Sequence, residues 1–81
     1  MAKYYMHLRN GTDELLDVEG VELQDADAVR ENVMTAARDL LAGDLRIGVV
    51  DLRYRIDAEN SGGEIVYSLA FKNAFSLIPE G

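Results

Sequence analysis

The sequence predicts a small α+β domain: a short antiparallel sheet of three to four strands packed on one long helix, in β–α–β–β order with a minor extended segment before the helix. Three observations predict it. Residues 3–9 and 52–58 alternate apolar and polar side chains, the period of a half-buried strand. Residues 26–47 place apolar side chains at helical spacing. Asn60-Ser61-Gly62-Gly63 separates two alternating runs, as a hairpin turn does.

In the first strand Tyr4, Met6 and Leu8 fall on one face, and Tyr5, His7 and Arg9 on the other. Asn10-Gly11-Thr12-Asp13 reads as a turn. Leu15-Leu16 and Val21-Glu22-Leu23 flank Asp17-Val18-Glu19-Gly20, a short extended segment or minor hairpin. Asp25 or Asp27 can cap the helix, because a carboxylate there accepts the free amides of the first turn. The helix then runs from Ala26 to Ile47 and stops at Gly48. Val29, Val33, Ala36, Ala37, Leu40 and Ile47 form one apolar stripe, and Met34, Leu41 and Leu45 a second beside it. The expectation is that Leu40 lies at the centre of the core and that Met34, Leu41 and Leu45 form an interface stripe.

The second strand alternates Leu52, Tyr54, Ile56 and Ala58 with Arg53, Arg55 and Asp57. The third alternates Ile65, Tyr67, Leu69 and Phe71 with Glu64, Val66, Ser68 and Ala70. Residues 73–79 are apolar for a tail and read either as a last strand or as a docked arm over the second helix stripe.

With 81 residues the chain is one domain, 1–81, since two halves would each be too small to bury a core. It has no cysteine, so neither a disulfide nor a thiolate metal site supports it. Its 48% apolar and 28% charged residues suit a globular protein. No run approaches the roughly 20 apolar residues of a membrane span. The start lacks a secretory pattern, which makes the cytoplasm the expected compartment. The net charge of −7 argues against nucleic acid. Asp13, Glu14, Asp17, Glu19, Glu22, Asp25 and Asp27 crowd one stretch with no base among them.

The Tyr4-Tyr5-Met6-His7-Leu8 start, Gly11, the Leu16-Asp17-Val18-Glu19-Gly20-Val21-Glu22-Leu23 segment, the Ala- and Arg-rich helix and the hairpin together carry a resemblance over nearly the whole chain. The sequence resembles a family of small uncharacterised bacterial proteins, common in rhizobia and their relatives. That family pairs an aromatic doublet and His or Asp with a D-x-E-G segment. It has no assigned activity, so the resemblance implies no catalytic residue. It implies that Asp17, Glu19 and Gly20 belong to a recurring feature. Val18 and Tyr5 stand where an acid and a phenylalanine are common.

The residues supply no catalytic set. His7 is the single histidine, too few for a two-histidine zinc site, and mid-strand it reads as a solvent-facing residue of the sheet. An EF-hand loop anchored on Gly20 fails, because Leu15 and Ala26 fall where the first and last ligands belong. A weak divalent-cation or small-ligand site among Asp13, Asp17 and Glu19 is the alternative function. Against it, Gly20 makes a turn and Asp17 or Glu19 bonds local amides. Gly62-Gly63 fits no phosphate-loop pattern.

The outer sheet face gathers Tyr5, His7, Arg9, Arg53 and Arg55, with Val66 and Ser68 beside them, into a basic, aromatic candidate interaction face. It would meet an acidic protein surface such as the Asp13–Asp27 stretch of another copy, stack on single-stranded nucleic acid, or lie solvated with charge pairs such as Arg55 with Glu64. The expected function is therefore a non-catalytic protein-interaction or regulatory module without cofactor. Its partner is an unknown protein or a second copy in a homodimer.

Overall fold

The structure, a computed structural model, describes residues 1–80. Within them the order is β1 (Ala2–Arg9), β2 (Glu14–Leu15), β3 (Val21–Leu23), α1 (Ala26–Ile47), β4 (Arg55–Asn60), β5 (Ile65–Ala70) and a 3-10 turn over Phe71–Asn73. The sheet is five-stranded and antiparallel, with β4 between β1 and β5. The minor segment before the helix supplies both β2 and β3, and both pair with the outer edge of β1.

The helix has the expected bounds. Asp25 is its N-cap and accepts the Ala28 amide at 2.8 Å. Gly48 ends it with φ +84°, donating its amide to the Leu45 carbonyl while Val49 donates to that of Asp44. These two bonds satisfy carbonyls of the last turn that have no partner within the helix.

The helix buries Val29, Val33, Ala37 and Leu41 against Ile56, Ala58, Leu69, Phe71 and Ala74. This corrects the expected core stripe: Leu41 is in the core, and Leu40 is 43% exposed. The reason is the crossing geometry. The buried positions are spaced by four, so each is rotated about 40° from the last. The helix meets the sheet along this inclined ridge. Leu40 shares an angular position with Val29 but lies three turns further on, where the contact line has moved away. Ile47 is exposed for the same reason, and Met34 is only partly buried beside the core.

Two other boundaries differ from the pattern. β4 starts at Arg55, not at Leu52, because Asp51 accepts the Arg53 amide and closes a turn there. The tail is a docked arm only as far as Phe75. Phe71 and Ala74 are buried, and the Arg38 guanidinium holds the Ala74 carbonyl at 2.8 Å. Beyond Phe75, Leu77 and Ile78 are 82% and 93% exposed.

Candidate functional site

Alternation along β1 sends successive backbone groups to opposite edges. Tyr4 and Leu8 meet Val21 and Leu15 of the outer strands. Met6, between them, faces the segment 16–20 where the outer chain bulges, and its amide is taken by the Asp17 carboxylate at 3.1 Å. The other carboxylate oxygen accepts the amides of Glu19 and Gly20 at 3.2 and 3.1 Å. Burial acts to raise the Asp17 carboxyl, but these amide bonds outweigh it and hold the group below the usual carboxylate range. Gly20 closes the bulge with φ +73°, against the Tyr4 carbonyl.

The bulge covers His7. Its ring is buried, stacked near-parallel to that of Tyr5 with centroids 6.4 Å apart. The Asp17 amide donates to Nδ1 at 3.1 Å, and Nε2 lies 2.5 Å from a Glu59 carboxylate oxygen. An amide can only donate, so Nδ1 carries the lone pair and the ring proton sits on Nε2, toward Glu59. Both nitrogens are occupied. The expectation that His7 faces solvent is therefore corrected.

Next to it on the outer face, Asp57 is buried in mid-strand. It accepts Arg9 at 2.8 Å, Arg55 at 3.1 Å and the Ser68 hydroxyl at 2.6 Å. Burial pushes the Asp57 carboxyl up, yet Ser68, Arg9 and Arg55 outweigh it and hold it low. Arg9 also binds Glu14, and its guanidinium is raised by Asp57 first and Glu14 second.

The basic aromatic face predicted from sequence is thus a charge-paired network. Arg55 pairs with Asp57 rather than Glu64. Arg53 does not join it: it lies in the turn before β4, paired with Asp51, whose carboxyl its guanidinium lowers to about 2. Ser68 lies on this face as expected; Asp57 and Glu59 were missed as members. The available signal was an acid at mid-strand, two residues from Arg55 and in register with His7.

Among the described residues no group of three acids or histidines is placed to hold a metal ion. Asp17 is committed to amides, and Asp13 lines a polar hollow beside Arg9 and Arg55.

The second candidate surface is an apolar groove of about 420 Å³ along the C-terminal half of α1. Arg38, Leu41, Ala42 and Leu45 form one wall, and Val50, Leu52, Phe75 and Leu77 the other. Leu45 is the next residue on the ridge Val29–Val33–Ala37–Leu41, past the end of the sheet, and is 70% exposed. Of the predicted interface stripe, Leu41 lines the groove as a core residue and Leu45 as an exposed one; Met34 is not among the lining residues.

Residues 3–72 match the model of a domain of unknown function, DUF6894. The chain belongs to this family. The match takes in all five strands and the whole helix of the DUF6894 domain, including the Asp17–Gly20 bulge. No curated protein and no solved structure matches the chain.

Proposed function

We propose that this DUF6894 domain is a non-catalytic protein-interaction module of the bacterial cytoplasm, taking an apolar segment of a partner protein in the groove beside α1. The observation that carries this reading is the apolar lining itself. Leu45 and Leu77 stand largely in water across a groove whose lining is apolar apart from Arg38. A continuous exposed apolar surface of this kind marks interaction sites on soluble proteins. The outer sheet face supports the same reading by contrast. Its histidine has both nitrogens bonded and its two arginines are paired with Asp57, which leaves few groups free for proton transfer or for phosphates.

The test is affinity capture from the cells that make the protein, with wild type and Leu45→Asp as paired baits. Leu45 is exposed, so the substitution spares the fold while placing a charge in the groove. A protein recovered with wild type and lost with Leu45→Asp supports the reading. Equal recovery by both baits, or none by wild type, contradicts it.

A further inference from the structure

One edge of the sheet is β5, which pairs with β4 and, among the described residues, with no other strand; the other edge is made by the two- and three-residue strands β2 and β3. Edge strands are ordinarily blunted by short length, a lysine, a proline, a bulge or a covering loop; β5 has a single bulge, at Val66. Ile65-Val66-Tyr67-Ser68-Leu69-Ala70 contains no charge and no proline, and Ile65, Val66 and Ser68 are exposed. The irregularity in this strand falls between Ile65 and Tyr67, which leaves the stretch from Tyr67 to Ala70 regular. The opposite edge is treated differently, with β2, β3 and the Asp17 carboxylate closing off β1.

We propose that β5 pairs antiparallel with β5 of a second copy, centred on Ser68, to make one continuous sheet across a two-fold axis. The proposal concerns a different surface from the groove and does not depend on it. Three observations point to a second copy as the occupant.

The first is the direction of the free backbone groups. Phe71 donates its amide to the Tyr54 carbonyl of the neighbouring chain segment at 3.0 Å. Alternation then turns the amide and carbonyl of Ser68 and Ala70 outward. A two-fold axis at Ser68 lets the two Ser68 residues exchange both of their bonds, which needs outward groups at that position.

The second is charge. Antiparallel pairing brings the Glu64 end of each strand beside the Lys72 end of the other. Glu64 and Lys72 flank the uncharged strand, and neither is in an ion pair among the described residues.

The third is repulsion. Two copies each carrying −7 avoid each other unless their acidic regions stay apart. The strand order puts Glu14, Glu19 and Glu22 along the edge beyond β1, three strand spacings from β5. That is roughly 14 Å from the contact within each copy, beyond a Debye length of about 8 Å.

Sedimentation at several concentrations, with circular dichroism to verify folding, tests this. Wild type is expected to dimerise reversibly. Glu64→Lys sets like charges against Lys72 twice and should weaken the dimer by about tenfold, and adding Lys72→Glu should restore it. Val66→Lys should abolish it, and Leu45→Asp should leave it unchanged. Because the chain has no cysteine, Ser68→Cys should cross-link two copies on oxidation, their Cα atoms lying about 5.5 Å apart, whereas Val18→Cys should not. A monomer at millimolar concentration overturns the proposal, as it would if β5 takes only another protein's strand. A dimer indifferent to both Glu64→Lys and Val66→Lys overturns it too.

Discussion

The Asp17 carboxylate accepts the amides of Met6, Glu19 and Gly20, so one side chain both repairs a gap in the ladder and shapes the bulge around it. The bulge then supplies the amide that orients His7. Gly20 is the residue that this arrangement tolerates least well in any other form. Its φ is +73°, and a Cβ would lie 2.9 Å from the Tyr4 carbonyl oxygen, a backbone atom that cannot move aside. Gly20→Ala should therefore cost about 2 kcal/mol, read as a shift of the denaturant midpoint at constant slope. Imidazole nitrogen shifts of His7 should report an acceptor at Nδ1 and a proton on Nε2; the opposite tautomer would remove the bond from Asp17. The turn at Gly20 and an amide-bonding role for Asp17 were legible from the D-x-E-G pattern. Burial of His7 was not. Strand alternation names the face of a side chain, but the cover comes from a segment ten residues away, held by a side chain standing in for a backbone bond.

At the scale of elements, the helix bounds, an aspartate cap at Asp25 or Asp27, the Gly48 stop and the Asn60–Gly63 hairpin were all written in local chemistry, which acts within one turn and needs no tertiary context. The choice between Leu40 and Leu41 was not local. A helical wheel collapses the axis, and the angle at which the helix crosses the sheet exists only along that axis. The inclined ridge ending at Leu41 settles it. Leu41→Asp should unfold the domain, since it buries an unpaired charge beside Phe71 and Ala74. Leu40→Asp, at a partly exposed site, should cost less than about 1 kcal/mol. Thermal melts of the two variants decide between this ridge and the alternative stripe through Leu40.

The whole molecule divides its charge unevenly. The acids that give the chain its −7 concentrate from Asp13 to Asp27, around the outer edge of β1, while the arginines of the sheet face are neutralised by Asp57 and Glu14. The acidity was legible in the sequence; the neutralisation was not, because it depends on the register that sets Asp57 beside His7 and Ser68. Asp57 and Asp17 both titrate below their ordinary value in the folded protein, so each stabilises the fold above its unfolded value of about 4 and loses that contribution as pH falls through the lower folded value. Acid also relieves the repulsion of the remaining carboxylates, which acts in the opposite sense. The clean quantity is a difference between variants. Asp57→Asn should be less stable than wild type by about 2 kcal/mol at pH 7, and the gap should narrow steadily below pH of about 4.

With the sheet face charge-paired and the groove open, the proposed partner meets the domain beside α1. Backbone amide shifts of the labelled protein, recorded with and without the captured partner, test it most directly. Binding in the groove should concentrate the changes at Leu41, Ala42, Leu45, Val50, Leu52 and Phe75. Changes concentrated instead at Tyr5, Arg9, Arg55 and Asp57, with the groove silent, would contradict it.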